Sequence, residues 1–265
     1  MNTQLFLLDA PDHETPFSRL DAHRVHSEPD LRSALCSRGR SVWVAPHGRC
    51  LLAQSDAWLS CSPRSASRSL LLLEPVSDTR RVFLRECFKR ILEPGGGVHF
   101  LPFDELAEVL SAPNRGDLAI ATAVDSEDAA AILFRGDLSS LVVPLSWFSN
   151  IGSSPKADPN DCEVTDYGQT IRMGEFEASV DAILYEFDAD YRKRAKARKL
   201  EQDDSLGACI QRLRLMRQRG RGDFEGITGK EMARIERGEV RKPHKDTLER
   251  IAKTLGVEVD DLQSY

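Results

Sequence analysis

The chain has no long hydrophobic run. Its longest apolar stretch in 265 residues is LLLLEPV, from Leu70 to Val76, far short of the ~20 residues a helix needs to cross a bilayer. No membrane span is expected. The opening MNTQLFLLDAPDHE carries no basic leader and too short an apolar segment for a secretory signal, and the six cysteines (36, 50, 61, 87, 162 and 209) include no CxxC pair. A cytoplasmic protein with free thiols is the expectation. Internal repeats and low-complexity tracts are also missing.

The usual marks of catalysis are scarce too. There is no nucleophile-elbow sequence, no HExxH and no spaced carboxylate pair, so no enzymatic activity and no cofactor are expected. Five of the six histidines and four of the six cysteines lie before residue 100. His47 and Cys50 could supply two ligands to a metal, but structural zinc sites use closer paired spacings and no second pair is visible. The other reading is a turn histidine beside ordinary buried thiols. Gly95 to Gly97 lacks the GK[ST] ending of a phosphate loop and follows an expected helix, so it reads as a helix stop.

What the chain does have is charge, unevenly placed. The net charge is −6, with 41 % hydrophobic and 29 % charged residues, the composition of an ordinary globular protein. From Tyr191 to Tyr265 there are 19 Lys and Arg against 13 Asp and Glu, a balance of +6; residues 1–190 hold 17 against 29, a balance of −12. An acidic body with a basic end suits a nucleic-acid-binding module joined to a non-binding one, because cations near phosphates release condensed counterions. A solvated helix face would give the same balance.

The length suits two or three small domains, and the expected fold class is α+β. Residues 1–112 read as a mixed α/β domain. RSVWVAP (Arg40 to Pro46) and RCLLAQ (Arg49 to Gln54) are strand-like, with His47 and Gly48 between them suggesting a hairpin, and SLLLLEP (Ser69 to Pro75) reads as a buried strand. A helix capped by Asp78 is predicted through Leu92, with Val82, Phe83, Phe88, Ile91 and Leu92 as its apolar positions, and a second at Phe103 to Leu110. SAPNRGD (Ser111 to Asp117) has the composition of a linker.

Residues 113–188 read as a small, β-rich α+β domain. Its strand signals are Leu118 to Val124, Ala130 to Gly136 and Leu138 to Phe148, in antiparallel order, followed by a polar loop from Ser149 to Asp161, a strand at Gln169 to Met173 and a helix near Val180 to Phe187. Residues 189–265 open with the basic stretch DYRKRAKARKL, either a solvated connecting helix or a helix lying along a phosphate backbone. Leu206, Ile210, Leu213 and Met216 then form an apolar stripe on a helix that Gly220 ends. The next helix runs from Thr228 to Arg237, with Thr228 and Glu231 spaced as a capping box, Met232 and Ile235 facing the core, and Gly238 as the stop. Lys245 or Asp246 opens a third, with Leu248, Ile251, Ala252 and Leu255 on one face and Gly256 at its end, and VEVDDL begins a short last helix.

GITGKEMARIERG (Gly226 to Gly238), Pro243, Thr247-Leu248 and IAKTLGV (Ile251 to Val257) together resemble the lambda repressor-like, Cro/C1-type (XRE) helix-turn-helix domain. The resemblance implies five short helices and a recognition helix at Gly229 to Glu236. It implies that Arg214 and Glu236 form an internal structural ion pair, and that Thr228, Gly229, Lys230, Glu231 and Arg234 lie in or beside the major groove of double-stranded DNA, with Arg221, Arg241 and Lys242 at the phosphates. The chain departs from the pattern in two places. From Ile210 to Glu236 it is about three residues short, with RGRGDFEG (Arg219 to Gly226) where an apolar Leu-Ala pair is usual, leaving Phe224 as the anchor; and one extra residue separates Gly238 from Pro243.

The segment from Leu118 to about Phe187, with GDLSSLVVPLSWF and then DYGQTIRMGEFEASVDAIL, is similar to a small bacterial domain of unknown function that occurs alone or fused to a Cro-type domain. That second resemblance supports the domain boundary and says little of chemistry; the Cro-type resemblance implies a dimeric, sequence-specific transcriptional regulator, a repressor by default, with sensing or dimerisation expected of the acidic front. The second reading is a protein-interaction module, such as an antitoxin or adaptor, in which the helical domain serves assembly and the acidic region meets a protein partner.

Overall fold

The computed structural model describes residues 3–8, 17, 20–37, 39–52, 55–60, 67–150, 155–240 and 242–263. Parallel and antiparallel sheets are combined with helices in a mixed α/β fold. The chain divides into two compact units, Met1–Asp188 and Ala189–Tyr265.

The first unit begins with five parallel strands. These are β1 (Gln4–Leu8), β2 (His23–Val25), β3 (Ser41–Ala45), β4 (Arg68–Leu72) and β5 (Arg90–Leu92), with α1 (Glu28–Leu35), α2 (Gly48–Leu52), α3 (Ser55–Ser60) and α4 (Asp78–Cys87) among them. The sheet order is β2-β1-β3-β4-β5. Every residue of β3 and β4 is buried, as expected of central parallel strands covered on both faces. On one face, aromatic rings run across the sheet. Phe6 stacks on Trp43 at 4.4 Å, Trp43 meets Trp58 edge-on at 5.0 Å, and Trp58 lies 5.0 Å from Phe88. Ser27 and Asp30 close a capping box at the start of α1.

Several expectations for this region are corrected. The hairpin around His47 and Gly48 does not form: β3 is paired on both sides by parallel neighbours, β1 and β4, which leaves no edge for an antiparallel partner. The run after Gly48 folds as α2 instead and buries Leu51 completely. The helix expected through Leu92 ends at Cys87, because Phe88 turns extended and Arg90–Leu92 pairs in parallel with β4. Ser77, not Asp78, occupies its N-cap, and Val82 is 64 % exposed rather than in the core. Gly95 to Gly97 therefore follows a strand. All three glycines have positive φ, and Gly95 bridges to Val98, so they make a tight reversal.

The unit continues with β6 (His99–Phe100), α5 (Phe103–Ser111), β7 (Ala119–Asp125), β8 (Ala130–Arg135), β9 (Ser140–Pro144), α6 (Leu145–Asn150), β10 (Cys162–Thr165), β11 (Thr170–Met173), β12 (Phe176–Ser179) and α7 (Val180–Phe187). They form two antiparallel sheets, β6-β7-β8-β9 and β10-β11-β12. Because β6 pairs with β7, one sheet draws strands from both sides of residue 112. The segment expected to be a linker is built into the fold. Arg115 donates to the carbonyls of Leu110 and Thr3, and its own carbonyl accepts from Gly136. The strand expected to reach Phe148 stops at Pro144, where a helix takes over; proline has no N–H to extend the ladder.

The second unit holds α8 (Ala189–Gln202), α9 (Leu206–Met216), α10 (Gly229–Glu236), α11 (Lys245–Leu255) and a 3-10 turn at Asp260–Gln263. Ile210, Leu213, Phe224, Ile227, Met232, Ile235, Ile251 and Leu255 make up most of its core. Met216 is outside that core, 69 % exposed, and α9 ends there rather than at Gly220. Gly256, at φ 70°, caps α11 in the left-handed conformation.

Candidate nucleic-acid interface

The local chemistry of α10 is simple. Thr228 is its N-cap, and the Glu231 N–H donates to Thr228 Oγ1 at 3.1 Å, satisfying one of the unpaired donors of the first turn. Met232, Ile235 and Glu236 are buried, while Lys230, Glu231, Arg234 and Arg237 are exposed. Lys230, Arg234 and Arg237 are four and three residues apart, so they lie along one outward stripe. Gly238, at φ 71°, reverses the chain and lets the Glu239 N–H donate to the carbonyl of Arg234 at 3.0 Å.

That reversal brings Glu239 against the stripe. Its carboxylate accepts from Arg237 Nε at 2.7 Å and from Arg234 Nε at 3.2 Å. The hydrogen bond from Arg237 is the main reason that the Glu239 carboxyl is held below its ordinary range, and the same bond raises Arg237.

On the inward side, the Glu236 carboxylate is fully enclosed and held by two arginines. Arg214 Nε, on α9, reaches Glu236 Oε1 at 2.5 Å and Arg221 Nε reaches Oε2 at 2.8 Å. Arg214 also donates to the Arg219 carbonyl at 2.8 Å, so a single side chain ties α9, the following loop and α10. Gly207 permits the close approach of the two helices. A Cβ there would stand 2.4 Å from the Ile235 carbonyl oxygen and 2.8 Å from that of Glu236.

The stretch between α9 and α10 contains turns and bends but no helix. Phe224, 2 % exposed, and Ile227 anchor it from within. Gly220 N–H donates to Asp223 Oδ2, and Arg250 donates to the Gly226 carbonyl. Residues 219–226 are thus ordered by Phe224, by the Gly220–Asp223 hydrogen bond and by Arg250.

The residues expected at the interface are differently placed. Thr228, Gly229, Lys230, Glu231 and Arg234 share the first two turns of α10. Arg221, expected at the phosphates, directs its Nε at Glu236. Lys242 is exposed, and Arg241 lies outside the described residues. Arg237 and Glu239 were not among the expected site residues; the spacing of Lys230, Arg234 and Arg237 by four and three is the sequence signal that points to Arg237.

Helix α8 presents Lys193, Arg194, Lys196, Arg198 and Lys199 to solvent. It is fastened to α9 by Arg212, which donates to the carbonyls of Leu200 and Asp203. Arg194 and Arg198 lie over the buried Tyr191 ring at 5.7 and 5.4 Å.

In the first unit His47 Nδ1 is 2.9 Å from Glu74 Oε1, and among the described residues no group of three or more His, Cys, Asp or Glu is arranged to hold a metal. Cys61 lies outside the described residues. No helix among the described residues is long and apolar enough to cross a membrane. No protein-family model, curated protein or solved structure matches the chain.

Proposed function

We propose that residues 189–265 form a lambda repressor-like DNA-binding module and that the protein is a sequence-specific transcriptional regulator, acting as a homodimeric repressor. The observation that carries this reading is the outward stripe of Lys230, Arg234 and Arg237 on a short helix whose inward side is fixed by the enclosed Glu236 carboxylate. A rigid helix presenting guanidinium and ammonium groups suits the major groove, where Arg and Lys donate to guanine edges. The excess of cations after Tyr191 would supply the sequence-independent attraction. Two copies on half-sites about one helical turn apart would read a near-palindromic operator. The first unit would then sense a signal or strengthen the dimer.

The test is binding to the protein's own upstream promoter DNA against random duplex, titrated from low to physiological salt. A preference of about a thousandfold that survives physiological salt supports the reading. Weak, unselective binding that disappears with added salt rejects it.

One observation favours a second reading. Leu215 and Met216 are adjacent, 52 % and 69 % exposed, and directly precede the stretch where the family pattern is short. In an antitoxin or adaptor such a pair would be covered by a protein partner, and a stable complex that leaves no DNA footprint would decide for it.

A further inference from the structure

We propose that the crevice at the carboxyl ends of β3 and β4 binds a small molecule through a phosphate group held by Arg49 and Arg80. In open sheets of parallel strands the loops after the strands collect at one edge, where ligands bind by preference at the point at which the strand order reverses; here the order reverses between β1 and β3, and the crevice lies one strand beyond, after β3 and β4. Here β3 ends at Ala45 and β4 at Leu72. A cavity of about 290 Å³ opens just beyond them, lined by His47, Gly48, Arg49, Glu74, Val76 and Arg80. Its size is at the lower end of the ~300–1,000 Å³ range of small-molecule sites, which suits a phosphorylated metabolite better than a dinucleotide.

The walls of this crevice are fixed. Gly48 sits so close to the next loop that a Cβ would stand 2.7 Å from Val76 Cγ1. The Val76 N–H donates to Glu93 Oε2 at 3.1 Å, and Glu93 in turn accepts from Arg81 Nε at 2.7 Å. His47 and Glu74 pair across the two loops. Against this background two cations stand out. Arg81 is committed to Asp78 and Glu93, whereas Arg49 and Arg80 are exposed and make no ion pair or hydrogen bond with any described residue. Two guanidinium groups lining one preformed crevice offer the forked N–H donors that match phosphate oxygens.

The test titrates the full chain with inorganic phosphate, against chloride at constant ionic strength, and follows backbone amide shifts. Saturable shifts are expected around residues 47–49 and 74–80. The double change Arg49→Ala and Arg80→Ala should weaken phosphate binding at least about tenfold, and Arg80→Lys should retain part of it. Arg85→Ala, elsewhere on α4, should leave it unaltered. Absence of saturable shifts in the unmodified chain overturns the proposal, as does an equal loss in Arg85→Ala, which would mean only general surface charge. A double variant that binds phosphate normally but random duplex DNA less well would assign these cations to a nucleic-acid surface and overturn it too. Because the titration contains no DNA, its result is independent of the reading of the second unit.

Discussion

Arg214 and Glu236 meet with Nε and Oε1 2.5 Å apart, both out of contact with solvent, the carboxylate wholly and the guanidinium nearly so. The same carboxylate accepts from Arg221, a partner that is 44 % exposed. The two arginines thus hold one anion from environments of very different polarity, and the consequences of losing them should differ.

Removing one member of a buried ion pair strands its partner without water, a cost of about 3–5 kcal/mol. Half-exposed pairs contribute about 1 kcal/mol or less. Glu236→Ala and Arg214→Ala should therefore unfold the second unit at much lower denaturant than the unmodified chain, and Arg221→Ala should shift it slightly. Chemical denaturation followed by helical circular dichroism checks this order. If Arg221→Ala proved as damaging as Arg214→Ala, the contact at Arg221 would be the main tie between loop and helix.

A pH effect is expected from the first unit. Burial pushes the Cys87 thiol from 9.0 to about 11, since a thiolate is poorly solvated there. The unfolded chain releases this proton at lower pH than the folded one. The stability associated with neutral Cys87 is complete below about pH 9 and is lost as pH rises through 11, amounting to about 3 kcal/mol at most. Cys87→Ala lowers the baseline through lost packing, but should flatten this part of the stability profile between pH 9 and 11. Parallel profiles for the two proteins would show that Cys87 ionises alike in both states.

The elements that could be read from the sequence were those governed by local chemistry. Thr228, Gly238 and Gly256 act on their own helix ends, so α10 and the end of α11 fell where the caps put them. The run at Ser69 to Pro75 was plain because Leu70 to Leu72 are an unbroken apolar series in a strand buried on both faces. The failures came from distant partners. Whether the segment after His47 forms a strand depends on β1 and β4 already flanking β3, and Arg90–Leu92 becomes a strand only beside β4. In the candidate interface, Lys230 and Arg234 were expected only through the resemblance, and the inward turn of Arg221 was not legible, since it depends on how a shortened loop closes onto Glu236. Gly207 gave no local signal, because its role is set by carbonyls nearly thirty residues away.

On the regulator reading, Glu239 competes with DNA for Arg234 and Arg237, both of which it now holds. Glu239→Gln would remove that competition and one negative charge beside the phosphates. Affinity for random duplex should rise several-fold, with a steeper dependence on salt, while the operator gains less because its base contacts already reward release of Arg234. Discrimination should therefore fall. The carboxyl is held below its ordinary range, so the restraint should persist through the neutral and mildly acidic range and weaken only as pH drops through that lowered value. Equal gains on operator and random DNA would show that Glu239 acts through charge alone and leaves selectivity untouched.

If the second unit binds DNA as proposed, residues that read bases and residues that hold phosphates should separate on substitution. Lys230 and Arg234 lie on the stripe of α10, whereas Lys242 is exposed after the Gly238 reversal. A side chain that donates to a base edge is worth about 1–3 kcal/mol against the wrong base, and its loss relaxes specificity at one position of the site. Arg234→Ala or Lys230→Ala should show that pattern when the operator is varied one base pair at a time. Lys242→Ala should weaken every sequence to a similar degree and reduce the salt slope by about one unit. Were all three substitutions to lower binding uniformly across sequences, α10 would be bound to the backbone rather than to the bases, and the selectivity of the protein would have to come from DNA shape or from another surface.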